Sequence, residues 1–536
     1  MFTFFHGYSP DTWDAMVKNG LVGKNDGIRF CQNQRKDFFM KFNALARKDG
    51  ELYHIIKERN CPLYIDRLQG GTAIDAYNYD PLLLEEYKTM LGDKFYGMQM
   101  HEWLSNYNTD VNRKLKELPA EQWTEENISK MIFEKYKVPY LHLESMKLEE
   151  MAAYGKPESL EQFYKNMTAV FKKRQRISEL IPCDSYFLAY QFELSVGVKR
   201  LMPEIGAQVP DTRVQICYAR GMTREKGKTF GTYYEPWGGE PFTCCSYNDK
   251  NEWGYTDNAM AIFKRGGANG GSSRSLQRRM YLYSYLSNAE FISEEWGLYN
   301  TFAELDDFSL SPYGKVKKEF LNFVQKFDDV GEKLTPLAAV ISDEIPVLTD
   351  IYDDDKFCGY TVESHDKLTA AKTGIRKLFC QSEEMIGTEK NFLKNSRVPD
   401  CIDLINRKEA LLGKYDYLID LTGESELRSK YGNICEIEDV AEVIKQLLPC
   451  YVDGGLHWMV NECTNGGYYL TVFNHSGVVR TVADGEKILP EADQTVTVSF
   501  KDNRIPRICA GAGTIELCNG RYHLTVPAGD YAFIWF

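Results

Sequence analysis

The sequence of 536 residues lacks several features that would assign it at once to a class of protein. It has no run of about 18 apolar residues, so we expect no membrane-spanning helix. It has no tract rich in Lys and Arg and carries a net charge of −13, which argues against a nucleic-acid partner. The residues after Met1 form neither a positive segment nor a cleavable apolar core, so we expect a cytoplasmic protein.

Common catalytic and cofactor-binding motifs are missing too. The eight His lack the H-E-x-x-H or H-x-H spacing of a metal site, and no Gly-x-Ser-x-Gly motif of an α/β-hydrolase occurs. No glycine-rich phosphate loop follows the first predicted strand, and the glycine-rich tract 266–271 lacks the Lys of a P-loop. We therefore expect neither a metal nor another cofactor.

The 14 cysteines contain no C-x-x-C pair. Cys244 and Cys245 are adjacent, a spacing that disfavours both an ordinary disulfide and a tetrahedral zinc site. Without an export signal, we expect these cysteines to be reduced thiols of a cytoplasmic protein.

The length predicts more than one domain, because single cores rarely organise more than about 250–300 residues. In residues 1–332, short apolar segments alternate with helical ones, as in parallel strands joined by helices. Residues 333–452 read as a small α/β, flavodoxin-like domain. The period-two pattern of residues 453–536 predicts an antiparallel β-sandwich.

The first 332 residues contain eight strand-like segments, the number that a closed (β/α)₈ TIM barrel requires. An open doubly wound sheet is the alternative, and it would need a glycine-rich loop after the first strand. The long stretch Ser145–Gly206 is predicted to be helical. The predicted strands are Phe2–Gly7, Gly27–Gln32, Leu63–Arg67, Tyr96–Trp103, Tyr140–Glu144, Val214–Arg220, Phe230–Trp237 and Glu290–Trp296.

The ends of these strands are rich in carboxylates and aromatic rings, and barrel enzymes carry their working residues there. Glycoside hydrolysis needs two carboxyl groups, about 5–5.5 Å apart for retention and about 6.5–9.5 Å for inversion. Glu102 closes the fourth predicted strand and Glu235 the seventh. The candidates for binding a sugar are His6, Asp66, Arg67, Gln69, His101, Trp103, Trp237 and Trp296.

The eighth strand ends in two adjacent glutamates, Glu294 and Glu295. Neighbours on a strand face opposite ways, so only one of them can point into the barrel mouth. If the strand count is wrong by one, Glu295 becomes the nucleophile and Glu235 the acid/base. Arg220 is a weaker candidate for orienting a carboxylate, and Glu193, in a helical pattern, is interpreted as structural.

The placement of Glu102 and Glu235 resembles the large clan A of barrel glycoside hydrolases, with an acid/base Glu after strand four and a nucleophile Glu after strand seven. The order of barrel, α/β domain and β-sandwich is similar to that of the trimeric bacterial β-galactosidases. The resemblance implies that Glu102 is the acid/base, Glu235 the nucleophile and Trp296 a substrate platform. It also implies an assembly role for the domain of residues 333–452 and a homo-oligomer, with a trimer as the expected state. The clan's usual Asn-Glu pair is His101-Glu102 here.

We predict a glycosidase that cleaves a small oligosaccharide or glycoside by a two-carboxylate, retaining mechanism. Two alternatives stay open. One is a transglycosylase or phosphorylase-type barrel enzyme that uses the same site. The other is a catalytically silent protein that binds carbohydrate or serves in assembly. The sequence leaves the sugar and the linkage undetermined.

Overall fold

The computed structural model describes residues 2–30, 47–66, 81–101, 154–236, 271–295 and 301–536, apart from short gaps, and a few residues between 104 and 130. The predicted fifth strand, Tyr140–Glu144, lies outside the described residues. Within them, no helix is both long and apolar enough to cross a bilayer.

Eight parallel strands form a closed barrel. Each strand pairs with the next along the chain, and the eighth returns to pair with the first, Thr3 opposite Phe291. The seventh strand is in two pieces on either side of Gly231. The strands are β1 (Thr3–Gly7), β2 (Gly27–Phe30), β3 (Leu63–Asp66), β4 (Phe95–His101), β5 (Leu180–Asp184), β6 (Arg200–Ile205), β7 (Thr229–Phe230 and Thr232–Tyr234) and β8 (Phe291–Glu294).

A helix follows each of the eight strands, which confirms the predicted (β/α)₈ barrel. The last two helices begin at serine caps, because the Ser273 hydroxyl accepts from Leu276 N and the Ser311 hydroxyl from Gly314 N, both at 2.9 Å. The helices are α1 (Pro10–Lys18), α2 (Glu51–Arg59), α3 (Pro81–Leu91), α4 (Leu160–Gln175), α5 (Tyr190–Ser195), α6 (Thr212–Met222), α7 (Arg274–Leu286) and α8 (Pro312–Lys326).

Two sequence-based assignments within the barrel are wrong. The predicted strand Val214–Arg220 lies inside helix α6. The segment predicted as one long helix, Ser145–Gly206, contains strands β5 and β6. Each of these strands includes a proline, Pro182 or Pro203, which would have removed a hydrogen bond from a helix interior.

The barrel interior is filled by a cluster of mostly aromatic side chains. The Phe5 ring meets the rings of Tyr64, Tyr96 and Phe291 edge to face, with centroids 4.8, 5.2 and 5.5 Å apart. Such pairs contribute about 0.5–1.5 kcal/mol each beyond the area that they bury. The interior is therefore a packed core that closes the barrel below its mouth. The whole cluster is Phe5, Tyr64, Tyr96, Ile181, Cys183, Met202, Tyr233 and Phe291.

A small parallel sheet follows the barrel. Its strand order is β13-β10-β14, with β10 (Leu337–Ile341) in the centre, β13 (Ile402–Asn406) on one side and β14 (Tyr417–Asp420) on the other. Helix α6 of the barrel packs on β13. The remaining elements of this region are β11 (Lys356–Phe357), β12 (Tyr360–Thr361), α9 (His365–Ile375), α10 (Glu409–Leu412), α11 (Glu426–Lys430) and α12 (Val440–Leu447).

The last part of the chain forms antiparallel sheets, as its period-two pattern predicts. The strands are β9 (Glu332–Lys333), β15 (Cys450–Asp453), β16 (His457–Glu462), β17 (Tyr468–Phe473), β18 (Val478–Thr481), β19 (Gly485–Ile488), β20 (Gln494–Phe500), β21 (Arg507–Gly511), β22 (Thr514–Cys518), β23 (Arg521–Val526) and β24 (Tyr531–Trp535). A five-stranded sheet has the order β9-β16-β17-β24-β21, a four-stranded sheet the order β15-β20-β23-β22, and β18 and β19 form a hairpin. The boundaries at residues 333 and 453 stay predictions.

Candidate active site

Three glutamates meet at the carboxyl end of the barrel, one from each of its last three strands. Glu204 lies in β6, Glu235 follows β7 and Glu295 follows β8. One carboxylate oxygen of each lies within 4.8 Å of the others. All three residues are buried, and Glu295, the most exposed of them, is 7% exposed. The structure thus concentrates acidic groups where barrel enzymes carry their active sites.

The alternation of side chains along a strand explains why these residues face the interior. Tyr233 belongs to the interior cluster, and Glu235 lies two residues further along the same face of β7. In β6, Glu204 likewise lies two residues after Met202. Glu295 lies four residues after Phe291, directly past the end of β8 and on the same face.

Backbone hydrogen bonds hold the strand ends that carry two of the carboxylates. Glu235 N donates to Ile205 O of β6 at 2.9 Å, and Glu295 N donates to Tyr234 O of β7 at 2.8 Å. Each glutamate is therefore tied to the preceding strand. Their relative positions depend on the barrel ladder, which is more rigid than a surface loop.

Glu294 points the other way, into the layer of helices around the barrel. Its carboxylate accepts from Lys317 Nζ at 2.8 Å and from the hydroxyls of Tyr281 and Tyr313. Glu294 and Glu295 therefore occupy opposite faces of the strand, which confirms that only one of them reaches the mouth.

The three carboxylates cannot all be ionised in so small and buried a space without a compensating positive charge. A proton carried by one of them, or a bound cation, would provide that compensation. Arg29 of β2 also brings a positive charge into the interior, where it donates to Tyr233 Oη at 2.5 Å and to Glu294 O. Three carboxylates are also a donor set that hard divalent cations accept.

The chain leaving β7 is held on its outer side. Pro236 O accepts from Ser272 N at 3.0 Å, from the Ser272 hydroxyl at 2.9 Å and from Gln277 Nε2 at 3.1 Å. Ser272 precedes the cap of helix α7, so the start of this helix anchors the residue directly after Glu235.

Most of the other predicted site residues lie outside the residues that the structure describes. The backbones of Asp66 and His101 end strands β3 and β4, but nothing is described of their side chains. Glu102 follows the last residue of β4, and Trp296 follows Glu295. The predicted site residues outside the described ones are Arg67, Gln69, Glu102, Trp103, Trp237 and Trp296.

His6 does not lie at the barrel mouth. It pairs in register with Ile28, on the face of β1 opposite Phe5, and its Nε2 contacts Asp26 Oδ2 at 2.8 Å. It is fully buried, and this burial lowers the pKa of its imidazole, although the bond to Asp26 opposes the shift. We therefore leave His6 out of the residues proposed to bind substrate.

Arg220 and Glu193 also lie away from the mouth. Arg220 belongs to helix α6 and donates from Nε to Asp403 Oδ1 at 2.7 Å, so it joins the barrel to the small parallel sheet. Arg220 therefore binds a carboxylate, as the sequence suggested, but this carboxylate belongs to the small sheet and not to the barrel mouth. Glu193 is buried in helix α5, as expected, and burial together with the charge of Asp184 raises its pKa to about 8.

Glu204 is the acidic residue that the sequence analysis missed. It lies within the predicted helix Ser145–Gly206 and therefore not at the end of a predicted strand. Two signals favour a strand instead, namely Pro203 within the segment and Gly206 directly after it. Gly206 has φ +94°, and a Cβ there would come within 2.8 Å of the Tyr234 ring.

No family model matches the sequence, and no curated protein matches it. The structure is similar to that of α-L-fucosidase isoenzyme 2 from Paenibacillus thiaminolyticus, with 8% identity and a TM-score of 0.43 over 99% of both chains. It is also similar to the catalytic module of a family 98 glycoside hydrolase from Streptococcus pneumoniae TIGR4, with 9% identity and a TM-score of 0.41 over 100% of this chain and 98% of that one.

A third similar structure is the polyextremophilic β-galactosidase from the Antarctic haloarchaeon Halorubrum lacusprofundi. It has 8% identity and a TM-score of 0.41 over 99% of this chain and 98% of that one. At such identities and TM-scores, these likenesses carry no argument about function. The barrel assignment follows from the strand pairing of the chain itself.

Proposed function

We propose that this chain is a glycoside hydrolase that cleaves a small oligosaccharide or glycoside with two carboxyl groups at the barrel mouth. The observation that carries the proposal is the group of three buried carboxylates at the ends of β6, β7 and β8. Glycosidic cleavage needs one carboxyl group that is protonated and one that is ionised. In a tight cluster of carboxylates, repulsion between like charges favours a proton on one group while its neighbour stays ionised.

In this mechanism Glu235 is the nucleophile. It directly follows β7, which lies between the strands of Glu204 and Glu295, so both neighbours are close enough to influence its charge. A proton on Glu204 or Glu295 leaves Glu235 ionised and able to attack the anomeric carbon. The neutral neighbour then provides a donor that keeps the nucleophile in position.

Glu102 is the proposed acid/base. It directly follows β4, as the resemblance to clan A implies, and it would first protonate the leaving group and then activate water. Glu295 is the candidate for this role if Glu102 proves dispensable. His101, Asp66, Arg67 and Gln69 are proposed to bind sugar hydroxyls. Trp103, Trp237 and Trp296 are proposed to stack on sugar rings.

The test is an assay of the purified protein on a panel of 4-nitrophenyl α- and β-glycosides. We expect release from one sugar, and a loss of about 10²–10⁴-fold or more in Glu235→Gln and Glu102→Gln. Glu290→Gln is the matched control. Glu290 precedes β8, at the opposite end of the barrel, and its carboxylate accepts from Tyr96 Oη at 2.7 Å.

Full turnover in Glu235→Gln would contradict the proposed nucleophile. Turnover that requires added phosphate would indicate a phosphorylase instead. Proton NMR of the first product anomer decides the stereochemistry. Retention is expected, and inversion would indicate a carboxyl pair about 6.5–9.5 Å apart.

The proposed mechanism uses no metal ion, although the three carboxylates could hold one. We therefore expect incubation with EDTA followed by gel filtration to leave kcat unchanged. A loss of turnover that Mg²⁺ or Mn²⁺ restores would contradict the two-carboxylate mechanism.

We further propose that the protein acts in the cytoplasm as a homo-oligomer, with a trimer as the expected state. The ten cysteines that the structure describes are all thiols, which fits a reducing compartment. Light scattering coupled to size-exclusion chromatography tests the trimer. A mass of one chain would contradict it.

A further inference from the structure

The C-terminal sheets contact the start of helix α7, close to the end of the strand that carries Glu235. Glu486 of the β18–β19 hairpin accepts from Ser275 N at 2.9 Å. The Ser275 hydroxyl donates to Gly529 O, and Arg279 donates to His475 Nδ1. The first two turns of α7 are thus bound by residues from several segments of the antiparallel sheets.

Arg480 lies on β18 of the same hairpin, directly opposite Glu486. It binds Gly271, which lies shortly before helix α7. Its Nε and Nη2 both donate to Gly271 O, each at 3.3 Å. The side chain is buried, with the residue 3% exposed. Gly271 has φ +84°, a backbone conformation that residues other than glycine rarely adopt. The turn that presents this carbonyl is therefore specific to glycine.

A short series of contacts connects this carbonyl to Glu235. Gly271 is followed by Ser272, whose amide and hydroxyl both donate to Pro236 O. Pro236 is the next residue after Glu235. On the other side, Glu235 N is held by Ile205 O of β6. The end of β7 is therefore fixed from inside by the barrel and from outside by the Gly271–Ser272 turn.

We propose that Arg480 is a positioning residue for Glu235. Through Gly271 and Ser272, the C-terminal part of the chain holds the nucleophile at the distance that the reaction needs. This inference rests on the proposed function. Its physical basis is that a displacement of about 1 Å at a reacting group can lower the rate about 10²-fold.

The expected result for Arg480→Ala is a fall in kcat of about 10- to 100-fold with KM within about twofold, because Arg480 positions Glu235 and holds no substrate. Arg480→Lys should recover only part of the rate, since an ammonium group cannot reproduce the two-donor geometry of a guanidinium. Arg507→Ala is the matched control, because Arg507 is exposed on β21 of the same region.

Hydrogen exchange provides a readout that does not depend on turnover. In Arg480→Ala, peptides covering residues 229–236 and 271–277 should exchange faster than in the wild type, while β1 remains protected. If Arg480→Ala does not fold, Glu486→Gln is the second variant, and a smaller change in the same direction is expected. Wild-type kcat together with wild-type exchange in a folded variant would overturn the inference.

A failure of the proposed function would give a different result from a failure of the positioning role. Full turnover in Glu235→Gln would remove the nucleophile assignment, whatever Arg480→Ala does. If Glu235→Gln is inactive while Arg480→Ala keeps wild-type kcat and protection, only the positioning role is lost.

Discussion

Glu294 and Glu295 are adjacent in the chain, yet the fold places their carboxylates in different environments. Glu294 forms a buried ion pair with Lys317, and the two side chains are 3% and 1% exposed. Glu295 lies among two other carboxylates at the barrel mouth. The loss of either partner of the ion pair would leave the other charge buried and uncompensated. Glu295 is proposed to serve the reaction.

We expect substitution of these two residues to have different effects. Glu294→Gln leaves the buried Lys317 charge uncompensated, which costs about 3–5 kcal/mol, so the melting temperature should fall while the folded enzyme keeps its kcat. In Glu295→Gln the turnover should fall, because the residue belongs to the proposed site. Thermal unfolding and initial rates measured side by side test this. A loss of turnover in folded Glu294→Gln, or full turnover in Glu295→Gln, would contradict it.

Glu193 gives the stability a dependence on pH. Burial and the charge of Asp184 raise its pKa from 4.5 to about 8 in the folded chain. Below pH 4.5 both states are protonated. As the pH rises from 4.5 to 8, the unfolded state ionises and the folded state does not, so stability is lost over this window.

Glu193→Gln should therefore raise the melting temperature at pH 8 and leave it nearly unchanged near pH 4.5, because the amide imitates the neutral acid. The measurement is thermal unfolding across this range. Glu161→Gln, at an exposed position in α4, is the control and should have no such effect. A gain that is the same at both pH values would refute the explanation.

Helix α6 shows how tertiary contacts can hide an element from sequence analysis. Every residue of Thr212–Met222 is buried, because the helix is covered by the barrel on one side and by β13 of the small sheet on the other. Its polar side chains, such as Arg213, Gln215 and Arg220, are buried together with its apolar ones, so this helix has no solvent-exposed face of the kind by which amphipathic helices are identified. The pattern of Val214–Arg220 therefore predicted a strand.

The close packing of α6 on β13 predicts the effect of one added methyl group. A Cβ at Gly221 would lie 2.4 Å from the carbonyl oxygen of Leu404. Gly221→Ala should therefore destabilise the protein by about 1–3 kcal/mol, since backbone cannot move aside easily. Denaturant unfolding measures the loss. Gly413→Ala is the control, because a Cβ there meets nothing within 4 Å, and an equal loss in both variants would disprove the steric cause.

At the scale of the molecule, a buried series of hydrogen bonds joins the barrel, the small parallel sheet and the antiparallel sheets. Arg279 of α7 donates to His475 Nδ1, since arginine can only donate. His475 Nε2 then donates to His457 Nδ1 at 2.9 Å, and His457 Nε2 donates to Asp400 Oδ2 at 2.8 Å. Asp400 also pairs with Lys333 Nζ at 2.9 Å. In this arrangement both imidazoles are neutral.

Because of this series of hydrogen bonds, we expect the folded protein to lose stability in acid. Burial lowers the pKa of both His457 and His475 below 6.5, and the Arg279 charge lowers that of His475 further. As the pH falls below 6.5, the unfolded chain takes up protons that the folded chain excludes. Stability is therefore present above pH 6.5 and is lost as the pH falls towards the folded pKa values.

His475→Gln should weaken this pH dependence, because an amide can accept from Arg279 and donate to His457 without titrating. Thermal unfolding between pH 7 and 5 tests it, with His54→Gln, at an exposed position in α2, as the control. A wild-type slope in His475→Gln would show that these imidazoles do not cause the acid sensitivity.

The sequence by itself determined most of the barrel. Strands β1 to β4, β7 and β8 were found from their alternation with helices, and the count of strands placed Glu235 at the end of the seventh. Local patterns carry this information because each strand buries side chains in a regular period. Strands β5 and β6 were missed, but two other segments counted in their place, so Glu235 still came after the seventh strand.

Only the tertiary structure decided which acids meet. The sequence allowed either Glu294 or Glu295 to face the mouth, and its signals for the strand of Glu204, Pro203 and Gly206, did not show that this residue meets the other two. It also could not place Arg480, 245 residues after Glu235 in the chain, beside the turn that holds this residue. The physical reason is that such contacts depend on the closure of the barrel and on packing between distant segments. Neither of these produces a periodic pattern in the sequence.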